Sequence, residues 1–210
     1  MDNEKKEVKT IRNQIEEYVK ETIASFARRN PANVKRDLAI LRRGAGKELQ
    51  DVPDLWSLIL DNLPDKLMGN DDKPSISEEA IYQTLILFAL AQQGHDPVKQ
   101  LQNENGISLG AAAGRYAKKM ENKNNAILNR LKQAVTANTV QGMTVHLRGM
   151  IKLFAREGIC LDFAMLAGNL YQYNFQDGQK RVRLAWARDY FKNLKSNSNE
   201  ETSTILSEQK

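Results

Sequence analysis

Apolar residues recur at steps of three and four along most of the chain, and strict alternation of apolar and polar residues is nearly absent. Ile11, Ile15 and Tyr18 begin such a series in a first helix expected over about 4–29. Steps of three and four place side chains on one face of an α-helix, whereas a half-buried strand needs steps of two. The sequence therefore predicts an all-α protein.

Proline and short polar residues divide this pattern into separate helices. Asn30 and Pro31 end the first helix, because the residue before proline disfavours the α region and proline suits the first turn of a new helix. Ser77 is expected to begin a strongly apolar helix, and Asp162 and Asp177 are expected to cap the last two helices.

The polar stretch at 94–106 is the best candidate for a domain boundary, since it is rich in Gly, Asn, Pro and Gln. We therefore expect two small helical bundles, an N-terminal helical domain at 1–100 and a C-terminal helical bundle at 106–195. The Ser-, Asn- and Glu-rich tail at 196–210 is expected to be disordered.

The chain shows no sign of secretion or of a membrane span. The strongest apolar run, at 81–91, is shorter than the ~18–20 residues that a span needs and is interrupted by Tyr, Gln and Thr. The N-terminus does not resemble a signal peptide. A single cysteine, Cys160, excludes an intramolecular disulfide and is typical of the reducing cytosol. We expect a soluble cytoplasmic protein with no membrane partner.

Few residues offer catalytic chemistry. His95 and His146 are the two histidines, and neither has a neighbouring Cys, His or paired carboxylate to complete a ligand set. The Gly46-Lys47 pair departs from a phosphate loop, because Leu41 replaces the first glycine and Glu48 replaces the hydroxyl residue. The sequence predicts no enzymatic activity, no cofactor and no metal site.

Three further residues with reactive or aromatic side chains are expected to be structural. Cys160 has no local feature of a nucleophile and is expected to be a small buried residue. Trp56 and Trp186 fall on apolar helix faces, which favours the core over platforms on which bases stack.

Charge is distributed in blocks, although the whole chain carries a net charge of only +5. Residues 28–47 have seven Lys or Arg and one acid, whereas residues 48–79 have two Lys and nine acids. Concentrated positive charge indicates a surface that binds a polyanion. Solvated helix faces, or contact with an acidic protein, are the alternatives that the composition leaves open.

The spacing of the basic residues groups them on helix faces. Lys35 and Arg42 are seven residues apart, as are Arg36 and Arg43, so each pair nearly eclipses along a helix. Acids four residues away are mostly missing, which favours contact with a nucleic-acid backbone, and no base-reading motif is visible. The candidate nucleic-acid-binding residues are Lys35, Arg36, Arg42, Arg43, Lys47, Arg115, Lys118, Lys119, Arg148, Lys152, Arg156, Arg181, Arg188 and Lys192.

A series of motifs occurs in a specific order along the chain. The first are LAILRRG at 38–44 and VPDLW at 52–56, and SLG at 108–110 opens the second half. The longest are HLRGMIKLF at 146–154 and RVRLAWARDYF at 181–191. In their order and spacing these motifs resemble the CasB family, the small subunit of the type I-E CRISPR surveillance complex Cascade.

The resemblance covers about residues 28–195 and implies an all-α, non-enzymatic subunit with two helical bundles that serves antiviral defence. Members of the family sit as two copies along the inner side of the complex. The partners implied are guide RNA, target DNA and the displaced DNA strand, the backbone and large subunits, and a second copy of the chain. Six basic residues match basic positions of the family's motifs: Arg42, Arg43, Arg148, Lys152, Arg181 and Arg188.

Two other functions stay open on the sequence alone. A stand-alone helical protein that binds single-stranded nucleic acid without specificity would show the same basic faces. The other is an enzyme assembled by tertiary proximity, and salt-dependent binding would distinguish both nucleic-acid-binding readings from it.

Overall fold

The computed structural model describes residues 2–120 and 124–195, and the tail predicted at 196–210 lies outside them. Within the described residues the chain forms nine α-helices and two short 3-10 helices, and no strand, which confirms the all-α prediction. The α-helices are α1 (Asp2–Arg28), α2 (Pro31–Arg43), α3 (Trp56–Leu60), α4 (Ile76–Ala91), α5 (Leu109–Lys119), α6 (Asn124–Thr136), α7 (Val140–Arg156), α8 (Phe163–Tyr173) and α9 (Gln176–Lys195).

The helix starts follow capping chemistry, with two differences from the prediction. Asp162 caps α8 as expected, since its side chain accepts from the backbone N–H of Met165 at 2.9 Å. Ser75, not Ser77, caps α4, because the Glu78 carboxylate accepts a hydrogen bond of 2.6 Å from the Ser75 N–H and so completes a capping box. Asp177 was wrong as a cap, because α9 begins one residue earlier and takes Asp177 into its first turn.

Helix α4 lies at the centre of the fold, and nearly all of its residues are buried. It packs against α1, α2, α7 and α8. Phe88 of α4 stacks on Phe26 of α1, with ring centroids 5.8 Å apart, and meets Phe163 of α8 edge-on at 5.4 Å. These contacts join helices from both halves of the chain in a continuous core. The division into bundles at 94–106 stays a prediction.

Helices α5 and α9 approach each other backbone to backbone. A Cβ atom at Gly110 would lie 2.2 Å from the Trp186 carbonyl oxygen, and one at Gly114 would lie 2.4 Å from the Tyr190 carbonyl oxygen. Real Cβ atoms do not come this close to backbone, so glycine permits the crossing. Among the described helices, none is long and apolar enough to cross a membrane.

Candidate nucleic-acid interface

Helices α2 and α7, which carry many of the predicted basic residues, both pack on the central helix α4. Arg42, in the last turn of α2, donates from Nη1 to the Ala89 carbonyl of α4 at 3.2 Å, and its burial lowers the pKa of the guanidinium. Arg43, the next residue, is exposed. The end of α2 therefore presents one guanidinium anchored on α4 and one free to reach outward.

The turn at 44–47 is fixed to α4 by Tyr82. The Tyr82 hydroxyl lies 2.9 Å from the Gly44 carbonyl oxygen and 3.2 Å from the Lys47 carbonyl oxygen. Its one O–H is shared between these two acceptors. Gly46 adopts φ +91°, a conformation that favours glycine. The turn consequently holds the exposed Lys47 close to the end of α2.

Arg148 of α7 lies against the same turn. A Cβ atom at Gly46 would be 3.5 Å from Arg148 Nη1. The Arg148 Nε atom is buried and has no hydrogen-bond partner among the described residues. Burial lowers the pKa of this guanidinium, whereas Tyr82 acts in the opposite direction. The fold thus brings together basic groups that are about a hundred residues apart in the sequence, which the spacing along single helices could not show.

The exposed face of α7 extends this positive region. Lys152 and Arg156 follow Arg148 at successive turns and are exposed. Arg130 of α6 was missed by the sequence argument; its Nη1 would lie 3.1 Å from a Cβ atom at Gly149. Gly149, which has no side chain, interrupts the basic face of α7 and leaves room for a side chain from a neighbouring helix. This glycine is the sequence signal that could have indicated Arg130. We define the α2–α7 basic surface as Arg42, Arg43, Lys47, Arg130, Arg148, Lys152 and Arg156.

No carboxylate of the described residues forms an ion pair with any member of the α2–α7 basic surface. Its charges are therefore not neutralised within this part of the chain. A polyanion supplies closely spaced negative charges that would pair with them.

The first turns of α2 contribute less. Lys35 and Arg36 are both exposed to solvent. The Arg36 Nε atom, however, lies 3.4 Å from Asp37 Oδ1, and Asp37 also pairs with Arg29. Part of this charge is thus compensated within the protein.

The basic group on α5 is also largely paired. Arg115 Nη1 lies 3.0 Å and 3.1 Å from the two carboxylate oxygens of Glu104. Lys119 Nζ lies 3.1 Å from Glu157 Oε2 and donates to the Glu157 carbonyl at 2.8 Å. Lys118 is half-buried and has no ion pair within the described part of the chain. Their contact with nucleic acid stays a prediction.

The basic residues of α9 form a separate surface. Arg181, Arg188 and Lys192 are exposed, and α9 packs mainly on α5 and α8. Arg181 lines a groove of about 1040 Å³ between α1, α8 and α9, together with Lys9 and Arg12 of α1. We call Arg181, Arg188 and Lys192 the α9 basic surface. The predicted residues Lys35, Arg36, Arg115, Lys118 and Lys119 belong to neither surface.

The two tryptophans differ from each other. Trp186 is 1% exposed, which confirms its prediction as a core residue. Trp56 was wrongly predicted to be buried, since 44% of it is exposed. The Trp56 Nε1–H donates to the Leu49 carbonyl at 3.0 Å. The ring stays exposed because α3 is only five residues long and covers little of it.

The residues considered for catalysis are dispersed. His95 is half-buried, His146 is exposed, and Cys160 is half-buried, with Sγ 3.7 Å from Gln102 Oε1. Burial raises the pKa of the Cys160 thiol, the direction opposite to that of an activated nucleophile. Over the described ranges, no cluster of three or more His, Cys, Asp or Glu could hold a metal ion.

Stability at alkaline pH should report on Tyr82. Burial, with a smaller contribution from Glu79, raises the pKa of Tyr82 to about 12 from its ordinary value of 10.0. Below pH 10 the phenol is protonated in both folded and unfolded chains. Between pH 10 and about 12, Tyr82 is ionised in the unfolded chain but still protonated in the folded chain. Unfolding therefore releases a proton, and the free energy of unfolding falls as pH rises.

We expect Tyr82→Phe to lower the free energy of unfolding by about 1 kcal/mol near neutral pH, because the variant cannot make the hydroxyl's hydrogen bond. Its stability should then decline less between pH 10 and about 12 than that of the unmodified chain, as measured by urea unfolding. Parallel pH profiles for the two proteins would contradict the assignment. Comparing the two cancels the contribution of the other tyrosines.

Comparison with known proteins connects these surfaces to a family. The family model described as CRISPR-associated protein Cse2 matches residues 37–191, which include the whole α2–α7 basic surface. The crystal structure of CasB from Thermobifida fusca is similar, with 29% sequence identity and a TM-score of 0.67. The match covers 86% of this chain and 97% of that chain. A search of curated proteins found no match.

Proposed function

The chain belongs to the CRISPR-associated Cse2 family, whose members are subunits of the type I-E Cascade complex, and we propose that it binds nucleic acid there through backbone phosphates. In this proposal the subunit is non-catalytic and acts in the cytoplasm in antiviral defence. It contacts the hybrid of guide RNA and target DNA, and the displaced DNA strand, without sequence preference.

The observation that carries the proposal is the α2–α7 basic surface. Side chains from α2, α6, α7 and the turn at 44–47 converge there, and none has an ion pair among the described residues. Lys and Arg contacts to phosphates fix the position of a nucleic acid but read no sequence.

Such contacts suit the opening of a DNA duplex by a guide RNA. The RNA–DNA hybrid that forms is about as stable as the DNA duplex that it replaces, so the exchange is nearly balanced. A protein surface that holds the opened strands by their phosphates therefore shifts the balance toward the open state.

A second copy of the chain is the further partner in this proposal, beside the backbone and large subunits. The acidic segment at 48–79 exposes three apolar side chains, Trp56, Met68 and Ile76. Helix α9 exposes Leu184 and Phe191 among its basic residues. Opposite charge around exposed apolar groups favours a head-to-tail contact in which α9 of one copy meets the acidic segment of the other.

A salt titration tests the nucleic-acid role. Four exposed members of the surface, Arg43, Lys47, Lys152 and Arg156, are replaced together by alanine in assembled Cascade. Removing one phosphate contact to a single strand should flatten the slope of log K against log salt by about 0.7, so the fourfold variant should change the slope by about 3. The substitutions open no core cavity, and each should change stability by no more than about 0.5 kcal/mol.

The matched control removes the same charge elsewhere. Lys6, Lys20, Lys66 and Lys73 are also exposed, and their replacement by alanine should leave the slope unchanged. A third variant replaces the α9 basic surface. Equal slopes for the α2–α7 variant and the control would exclude phosphate contact at this surface. Failure of the chain to co-purify with guide RNA and the larger subunits would instead favour the stand-alone single-strand binder.

A further inference from the structure

Arg148 is unlike the other arginines of the basic regions in what surrounds it. Arg42 donates to a backbone carbonyl and Arg115 to a carboxylate, so both have protein acceptors. The Arg148 side chain is partly buried, yet its Nε has no acceptor and its charge has no carboxylate partner among the described residues. Its terminal nitrogens, unlike Nε, keep accessible surface and also have no protein acceptor among the described residues, so they are the donors that a ligand can reach.

The surface next to this guanidinium is open to an anion. Gly46, against which Arg148 lies, has no side chain, and its φ of +91° would strain any other residue. Lys47 follows directly and is exposed. A ligand can therefore approach the backbone of the turn closely while it lies between two cationic groups.

The position of the turn depends on Tyr82. Tyr82 belongs to α4 and its side chain is fully buried. Its hydroxyl donates a hydrogen bond that the carbonyl groups of Gly44 and Lys47 share. A Cβ atom at Gly44 would lie 2.8 Å from that hydroxyl, so the turn rests directly on the phenol. Tyr82 thus fixes the position of the turn on α4, the helix on which α7 also packs.

We propose that one backbone phosphate of the bound nucleic acid docks against Gly46 between Arg148 and Lys47, and that Tyr82 is the positioning residue of this site. The proposal rests on the proposed function and singles out one phosphate contact as the dominant one. The phosphate oxygens accept from the two terminal nitrogens of Arg148 in a bidentate arrangement, which a lysine cannot reproduce.

The first test separates geometry from charge. Arg148→Lys keeps the positive charge but removes the fork of donors, whereas Arg28→Lys makes the same change at an exposed position of α1, outside both basic surfaces. Binding of a labelled, mixed-sequence single-stranded DNA to Cascade assembled with each variant is measured by fluorescence anisotropy. We expect Arg148→Lys to weaken binding about tenfold with an unchanged salt slope. Arg28→Lys should bind as the unmodified complex does.

The second test concerns Tyr82. Tyr82→Phe retains every charge, so a loss of affinity at an unchanged salt slope indicates a positioning role. Combining Tyr82→Phe with Arg148→Lys should weaken binding less than the product of the two single effects, because both variants disturb the same contact. A loss of stability without a change in affinity would show that Tyr82 is only structural, and would overturn its assignment.

The outcomes distinguish this site from the wider function. If Arg148→Lys binds like Arg28→Lys, the dominant phosphate site is wrong. The proposed function then still stands, provided that the fourfold alanine variant flattens the salt slope. If that variant leaves the slope unchanged as well, both proposals fail.

Discussion

Replacing Phe88 by alanine is expected to lower the free energy of unfolding by about 4 kcal/mol, the usual cost of removing a buried aromatic ring. Phe88 is fully buried, and its ring packs between Phe26 of α1 and Phe163 of α8. The substitution removes this packing and leaves a cavity that rigid helices fill poorly. Urea unfolding followed by circular dichroism measures the change. Phe191→Ala is the control. Because Phe191 is 47% exposed, its replacement should lower the free energy of unfolding by less than about 1 kcal/mol.

The same variant tests whether the two predicted bundles unfold together. In a Trp56→Phe background, the fluorescence of Trp186 reports on the C-terminal half, whereas Phe88 belongs to the N-terminal half. Because Phe88 contacts Phe163 across the two halves, the midpoint seen by Trp186 should shift with that seen by circular dichroism. An unshifted Trp186 transition would mean that the bundle at 106–195 folds independently of the domain at 1–100.

Replacing Gly110 by alanine is expected to lower the free energy of unfolding by about 3 kcal/mol. The added methyl group would meet the carbonyl oxygen and Cα atom of Trp186, which belong to the backbone of α9 and cannot rotate away. Helices α5 and α9 must then move apart. Thermal and urea unfolding should both show the decrease in stability.

The control for this variant should have the opposite sign. Gly149 also lies inside a helix, but a Cβ atom there would meet only Nη1 of Arg130, the movable end of a long side chain. Alanine is a better helix former than glycine, so Gly149→Ala should stabilise the chain by up to about 1 kcal/mol. Equal effects at Gly110 and Gly149 would contradict the close crossing of α5 and α9.

Local signals predicted the helices well, because capping and periodicity act within a few residues. Asp162 caps α8 as its position indicates. Ser75 was missed in favour of Ser77, since the choice depends on which serine is matched by a glutamate three residues later. The burial of Trp56 could not be judged from its helix, because α3 has five residues and covers little of the ring.

The candidate site was harder to predict, because charge compensation is tertiary. The ion pair between Arg115 and Glu104 joins residues eleven apart, and that between Lys119 and Glu157 joins residues 38 apart. A search for acids one helical turn away misses both pairs. The approach of Arg148 to the turn at 44–47 depends on how α2 and α7 pack on α4, which periodicity does not specify.

The attachment of the turn to a buried tyrosine of α4 has a consequence for the thermodynamics of association. A loop that orders on binding loses backbone entropy, about 1–2 kcal/mol for each residue that becomes fixed. Here the backbone around Lys47 is already fixed before a strand arrives, and chiefly the rotamers of long side chains remain to be ordered. A strand bound at this surface would therefore have to follow a shape set in advance by the protein, so the bending falls to the nucleic acid.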